Sequence, residues 1–291
     1  MFARTEVRVV SVVAAIMFTV VVGVLIAKGE GRDVPVERNV AAAISAEDLA
    51  AAAQVKVFFG HQSVGMNVIA GIAGIYAARG LPVPVIVPLP DPAGGGAQTA
   101  RSGQSGYFAH AHIGQNGDPF AKIEDFDVRI RDGLGSEVDV ALMKFCYVDV
   151  VSDTDVDALF ARYRASMAAL ERDYPTVTFL HVTTPLTTEP SLKSRVKTLF
   201  GGSEHVGPAD NAARERLNAL MRREYRADRL FDLAAIESTT PDGARMSGRF
   251  QGREYFALYP GYAADAGHLN AEGSAIAAVR LLGLVARSSG K

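Results

Sequence analysis

The chain has 291 residues but only one cysteine, Cys146, and no tryptophan. A single cysteine excludes an internal disulfide. The formal net charge is only −2, and no run of basic residues occurs. Nucleic-acid-binding proteins normally carry a basic patch, so the sequence argues against a nucleic-acid partner. There is also no internal repeat and no low-complexity block.

An almost unbroken apolar run extends from Val9 to Ala27, after Arg4 and Arg8 and before Lys28. As a helix it would be about 28 Å long, close to the roughly 30 Å of a hydrocarbon core, so residues 1–28 predict a membrane anchor. A cleaved signal peptide is the alternative, although its apolar stretch is usually shorter and ends in an Ala-x-Ala-like site. The two arginines favour a cytoplasmic N-terminus. We therefore expect the bulk of the chain to be extracytoplasmic, either anchored or, if the segment is cleaved, secreted.

The rest of the chain divides into residues 29–53, predicted to be a linker ending in a short helix capped by Ser45, and one domain at 54–288. In that domain, segments rich in β-branched and aromatic residues alternate with helical patterns. This alternation predicts an α/β three-layer sandwich around a central parallel sheet. The predicted strands are 55–59, 83–87, 138–145, 176–182 and 230–233; the helices are 64–78, 122–134, 155–173, 209–226 and 271–287; the long loops are 89–120, 183–207 and 249–264.

Parallel sheets bind ligands at the carboxyl ends of their strands. Three segments follow predicted strands and should meet at that edge: 60–63, 145–149 and 183–207. Residues 60–63 read Gly-His-Gln-Ser, and Ser63 opens a helix, where it could either cap the helix or present an exposed nucleophile.

A second polar block, Asp265-Ala-Gly-His268, precedes the last helix, for which Asn270 is the predicted N-cap. A serine hydroxyl needs a base to remove its proton, and histidine is an effective base when a carboxylate orients it. Ser63, His268 and Asp265 supply these groups, which predicts a Ser-His-Asp hydrolase if the three side chains meet.

These blocks resemble the SGNH/GDSL hydrolases, which have a nucleophilic serine after the first strand and an Asp-x-x-His block before the final helix. The resemblance covers 54–288 in layout. It implies an SGNH/flavodoxin-like fold and hydrolysis or transfer of an ester or acetyl group, without a cofactor. With the predicted anchor, it implies a cell-envelope polysaccharide as substrate. Two blocks depart from the family: its Gly-Asp-Ser is Gly60-His61-Gln62-Ser63 here, and its Gly-x-Asn-Asp is replaced by residues 144–149, which contain no asparagine.

The missing asparagine leaves the second oxyanion donor open. The Ser63 backbone N–H is one donor, and Gly60 and His61 are expected at the pocket. Asn116, between two glycines of a long loop, is a candidate donor, or alternatively part of an ordinary Asn-Gly turn. Lys144, inside an apolar strand, is the other candidate, or alternatively a structural lysine paired with Asp149 or another carboxylate.

Other interpretations remain. His110 and His112 could hold a metal ion together with His268 and Asp265, although no cysteine cluster supports this. Cys146 could be a nucleophile, but a cysteine at the end of a central strand is usually a packing residue. A catalytically inactive module of the same fold, binding a glycan or a partner protein, is the alternative to an enzyme.

Overall fold

The computed structural model describes residues 39–90, 105–190 and 205–288. The predicted anchor at 9–27 lies outside these ranges, as do parts of the loops 89–120 and 183–207. Among the helices of the described part, none combines the length and the apolar character needed to cross a membrane.

Six parallel strands form the central sheet, in the spatial order β2-β3-β1-β4-β5-β6. The apolar run at 138–145 contains β4, and this strand is central, between β1 and β5. The predicted strand at 83–87 is shorter and lies at the edge, as its prolines require. The strands are β1 (Lys56–His61), β2 (Ile86–Pro88), β3 (Tyr107–His112), β4 (Val140–Met143), β5 (Thr178–Val182) and β6 (Leu230–Phe231).

Seven α-helices lie wholly within the described residues, and five of them match predicted segments to within three residues. The short helix α1 also begins as expected, because the Ser45 hydroxyl accepts the N–H of Asp48 at 2.9 Å. The helices are α1 (Ala46–Ala52), α2 (Val64–Ala78), α3 (Pro119–Arg131), α4 (Val156–Asp173), α5 (Pro208–Glu224), α6 (Leu233–Ser238) and α7 (Ala271–Ser288).

Two hydrophobic cores cover the two faces of the sheet. Within β1, Val57 and Phe59 face the core formed with α1, α2 and α7, while Phe58 faces the core formed with α3, α4 and α5. Each central strand is therefore buried on both faces, which is why its sequence is continuously apolar instead of alternating. The three-layer α/β sandwich predicted from the sequence is confirmed.

Two segments differ from the prediction. Residues 107–112 form β3 inside what the sequence presented as one long loop, and they pair with β1 along its whole length. Residues 249–264 are not simply a loop, because they include most of an antiparallel hairpin of β7 (Ser247–Phe250) and β8 (Arg253–Phe256).

The helix α1 belongs to the packed core, although the sequence placed it in a linker. Leu49 and Ala52 are buried against α7, and the Tyr76 hydroxyl donates to the carbonyl of Leu49 at 2.6 Å. Helices α2 and α7 also pack tightly, and a Cβ on Gly71 would lie 2.4 Å from the carbonyl oxygen of Ser274. Close approach of the two helices therefore depends on the absence of a side chain at Gly71.

The topology positions the site. From β1 the chain crosses to β2 and β3 on one side, and β4 then lies on the other side of β1. This reversal makes the carboxyl ends of β1, β3 and β4 the place where an α/β sheet opens a crevice. Ser63 follows β1 at that point.

Candidate active site

Ser63 joins β1 to α2 in an unusual backbone conformation. Its φ is 49° and its ψ is −106°, a region that residues with a Cβ rarely adopt. The hydroxyl makes no capping bond to the helix, although serine is a good N-cap residue. The capping alternative is therefore wrong, and the hydroxyl is available for another partner.

That partner is His268. The Ser63 Oγ is in hydrogen-bond contact with Nε2 of His268, and Nδ1 of the same ring lies 2.7 Å from Oδ2 and 2.9 Å from Oδ1 of Asp265. The structure thus brings together the three side chains selected from the sequence. A carboxylate at Nδ1 places the ring proton there and leaves Nε2 free to accept the proton of a serine.

A tight turn holds Asp265 and His268. Oδ1 of Asp265 also accepts the backbone N–H groups of Gly267 and His268, each at 2.9 Å, and the N–H of Ala264 donates to the carbonyl of His268 at 2.8 Å. Partial burial opposes ionisation of Asp265, but these hydrogen bonds and the one from the imidazole outweigh it and hold the pKa of Asp265 below its usual value. Asp265 is therefore a carboxylate at neutral pH.

Neighbouring loops support this turn from two directions. The ring of Tyr147, in the loop after β4, lies edge-on to the His268 ring with centroids 5.9 Å apart, and a Cβ on Gly267 would lie 2.4 Å from the Tyr147 ring. The N–H of Thr188, in the loop after β5, donates to the carbonyl of Ala266 at 2.9 Å. The segments after β1, β4 and β5 therefore meet at one edge, as expected from the sequence.

The site is open to solvent. The Asp265 side chain is 59 % exposed and that of His268 is 35 % exposed. Two cavities, one between β6 and α7 and the other between α5 and the hairpin, are lined by none of the three residues. The three side chains therefore lie at an open part of the surface and outside both cavities.

Asn116 lies in the loop between β3 and α3 and is exposed. Its Oδ1 accepts a hydrogen bond from Nζ of Lys122 at 2.9 Å, and Lys122 also contacts Oδ2 of Asp149 at 2.5 Å. Asp149 in turn accepts the N–H groups of Gly117 and Cys146, at 2.8 and 2.6 Å. The loops after β3 and β4 are thus joined by one buried carboxylate.

The predicted pairing of Lys144 with Asp149 is wrong, because Lys122 takes that place. Lys144 is fully buried, and its Nζ contacts the carbonyl of Phe145 at 3.2 Å and Sγ of Cys146 at 3.4 Å. No ion pair joins it to a carboxylate in the described part of the chain. Cys146 is also buried, which fits the packing interpretation over the nucleophile.

Gly60 and His61 occupy the interior and not the pocket predicted for them. Gly60 lies within β1, where a Cβ would meet the side chains of Ile113 and Phe126 at 3.1 Å. His61 is fully buried, and its Nε2 contacts Nδ1 of His110 at 3.1 Å. Burial, followed by the charge of Lys144, lowers the pKa of His61 to about 2, so the ring is neutral.

The metal alternative is not favoured by the position of its residues. His110 and His112 lie on β3 beside His61, with ring centroids 5.2 and 5.6 Å from it, while His268 contacts Ser63 and Asp265 contacts His268. Among the described residues, no group of three or more His, Cys, Asp or Glu side chains is arranged to hold a metal ion.

Sequence reasoning missed Lys122, Tyr147 and Gln62. Lys122 lies on the face of α3 that also carries Ile123, Phe126 and Ile130, so a cation at an apolar position was the available signal. Gln62 donates from Nε2 to the carbonyls of Ile113 and Gly114, at 3.1 and 2.8 Å. Nothing in the sequence pattern predicts the contact of Tyr147 with His268.

No family model matches the chain, and no curated protein matches it either. Solved structures do resemble it. One, described as a platelet activating factor from Streptococcus pneumonia, is 14 % identical, with 91 % of this chain and 96 % of that chain covered and a TM-score of 0.44. A lipolytic protein of the G-D-S-L family from Desulfitobacterium hafniense DCB-2 is 10 % identical, with 79 % and 99 % covered and a TM-score of 0.39. The periplasmic domain of a lipopolysaccharide acetyltransferase from Salmonella ser. Paratyphi A is 10 % identical, with 77 % and 80 % covered and a TM-score of 0.40.

Proposed function

We propose that this protein is a serine esterase or acyltransferase of SGNH type. The observation that carries the proposal is the continuous contact from Ser63 through His268 to Asp265, at the carboxyl edge of the sheet. Helix capping does not explain this contact, because the Ser63 hydroxyl makes no hydrogen bond to its own helix. The strained backbone of Ser63 adds support, since such strain persists mainly where function requires it.

The geometry suits a two-step acyl transfer. Ser63 Oγ would attack the carbonyl carbon of an ester or acetyl group while Nε2 of His268 takes the hydroxyl proton. Collapse of the tetrahedral intermediate would break the bond to the alcohol, which leaves with the proton from His268. Water, or a second alcohol in a transferase, would then attack the acyl-enzyme, losing its proton to His268 and regenerating Ser63.

The negative oxygen of the intermediate needs hydrogen-bond donors. We assign the backbone N–H of Ser63 and the side-chain amide of Asn116 to this role. Asn116 replaces the asparagine that the family carries after the strand equivalent to β4. Its loop is attached to the residue before the nucleophile, because Gln62 bonds to the carbonyls of residues 113 and 114.

We further propose that the enzyme acts outside the cytoplasm on acylated material of the cell envelope. This rests on the apolar segment at 9–27 and on the exposed site, which suits an acetyl group carried by a polysaccharide. Fractionation of cells expressing the full chain tests the location. Recovery in the cytoplasm would contradict it without affecting the proposed chemistry.

Labelling with a fluorophosphonate probe tests the chemistry. The wild-type protein should be labelled at Ser63, and S63A should not be labelled. S152A, which removes an exposed serine elsewhere, is the matched control and should label like the wild type. The departures in the first and third blocks favour a second candidate, an inactive module that binds a glycan. An unlabelled, folded wild-type protein that binds acetylated polysaccharide would support that candidate.

A further inference from the structure

A buried ion pair lies beside the proposed site. The side chains of Lys122 and Asp149 are both 0 % exposed, and Nζ lies 2.5 Å from Oδ2. Lys122 belongs to the first turns of α3, after β3, while Asp149 follows β4. In the sheet β1 lies between β3 and β4, so the pair joins the loops that follow the two neighbours of the strand leading to Ser63.

The pair fixes the backbone of both loops. Asp149 accepts the N–H of Gly117 with one oxygen and the N–H of Cys146 with the other. Gly114 lies so close to α3 that a Cβ there would be 2.7 Å from the backbone nitrogen of Lys122, and its φ is +50°. Residues 114–117 are therefore held against α3 and against the loop after β4.

Lys122 also determines which way Asn116 faces. An ammonium group can only donate hydrogen bonds, so the amide atom 2.9 Å from it has to be the oxygen. The NH₂ group, which lies in the same plane on the other side of Cγ, then points away from Nζ of Lys122. Asn116 is exposed, and its NH₂ makes no hydrogen bond to a described residue, so it is available as a donor.

We propose that Lys122 is a positioning residue of the acyl-transfer site: it holds the carbonyl oxygen of Asn116 and thereby presents the NH₂ group to the developing oxyanion. This inference rests on the proposed function. Asp149 pairs with Lys122 inside the protein, where an unpaired ammonium would be costly. A neutral amide in place of Lys122 could accept as well as donate and would permit either orientation of Asn116, whereas the ammonium permits one.

The test compares N116A, K122M and the double variant, with p-nitrophenyl acetate as substrate. If Lys122 acts through Asn116, each single variant should lower kcat about 10²-fold with little change in KM, since an oxyanion donor acts mainly in the transition state. The double variant should be no slower than the slower single variant. Losses that multiply in the double variant, or a K122M protein with wild-type kcat, would overturn the proposal.

R131M is the matched control, because Arg131 lies on the same helix and pairs with Asp127 and Asp173 at the surface. It should keep the wild-type kcat. If K122M does not fold, N116D decides. An aspartate keeps an oxygen for Lys122 and removes the donor, so kcat should fall while the melting temperature is retained; an unchanged kcat would overturn the proposal. Failure of the proposed function looks different, since the wild type would then not be labelled at Ser63.

Discussion

The carboxylate of Asp265 holds both the ring and the backbone of His268. Its two oxygens lie 2.9 and 2.7 Å from Nδ1, and Oδ1 also accepts the His268 N–H at 2.9 Å. The orientation of the proposed base is thus fixed within a turn of four residues. The outer side of that carboxylate faces water.

Replacing Asp265 with asparagine should disturb the His268 ring without unfolding the turn that carries it. The amide oxygen can still accept the N–H groups of Gly267 and His268, but the NH₂ group would face Nδ1 and favour the tautomer that cannot accept the Ser63 proton. We expect kcat for p-nitrophenyl acetate to fall about 10²-fold or more, with an unchanged melting temperature. Near-normal activity in D265N would show that another group orients the ring.

The backbone conformation of Ser63 should lower the stability of the protein, although the residue is needed for activity. Its φ of 49° with ψ of −106° suits glycine, and strain of this kind costs about 1–3 kcal/mol. S63G should therefore melt a few degrees higher than S63A, while both lose activity. S63A is the control because it also lacks the hydroxyl but keeps Cβ. Equal melting temperatures for the two variants would contradict the strain.

Replacing Gly267 with alanine should lower activity through a packing clash. In G267A the new Cβ would lie 2.4 Å from the Tyr147 ring, so the ring or the turn carrying His268 has to move. We expect kcat to fall about tenfold or more, since small displacements of catalytic groups are costly.

Two variants control for this effect. G283A places a methyl group in α7, where the nearest atom is the flexible end of Arg287 at 3.3 Å, and should keep full activity. Adding G267A to Y147A should cost little beyond Y147A alone. A further tenfold loss in that background would mean that the clash with Tyr147 is not the cause.

The buried His61 should make the protein sensitive to acid. Its pKa is about 2 in the folded protein against 6.5 ordinarily, because of burial and then the nearby charges of Lys144, His110 and His112. Above pH 6.5 the ring is neutral in both states and its contribution to stability is complete. As the pH falls from 6.5 towards 2, His61 binds a proton in the unfolded chain but not in the folded protein, so the free energy of unfolding decreases.

The phenylalanine variant H61F tests this. Its melting temperature should fall less between pH 7.5 and pH 5 than that of the wild type. H205N, which removes an imidazole from the loop before α5, should follow the wild type. If H61F loses as much stability as the wild type over this range, the acid sensitivity comes from other groups, such as His110 or His181, whose pKa values are also lowered by burial.

The sequence predicted the architecture well where hydrophobic patterns are long. In the apolar run at 138–145 and the helical pattern at 155–173, the spacing of apolar residues itself indicates which positions are buried. It failed at β3, because Tyr107–His112 contains two histidines and lies beside a segment rich in glycine and proline. That strand is specified by pairing with β1, whose paired residues lie 51 positions earlier in the chain.

The site likewise contains residues that could be predicted from the sequence and residues that could not. Ser63, Asp265 and His268 could be selected because their residue types and order carry chemical meaning. Lys122 could not, since its role depends on Asp149 and Asn116 meeting across the sheet edge. The alternative in which Lys144 pairs with Asp149 was wrong, because Asp149 pairs with Lys122, a lysine 27 residues away in the chain.

The close contact between Gly71 and Ser274 also bears on the distance between Ser63 and His268. Ser63 lies immediately before α2 and His268 shortly before α7, and both helices begin at the same edge of the sheet. Whatever sets the spacing of the two helices therefore sets the gap across which a proton would pass. A methyl group at Gly71, buried eight residues from the nucleophile, would lengthen that gap without touching any reacting atom.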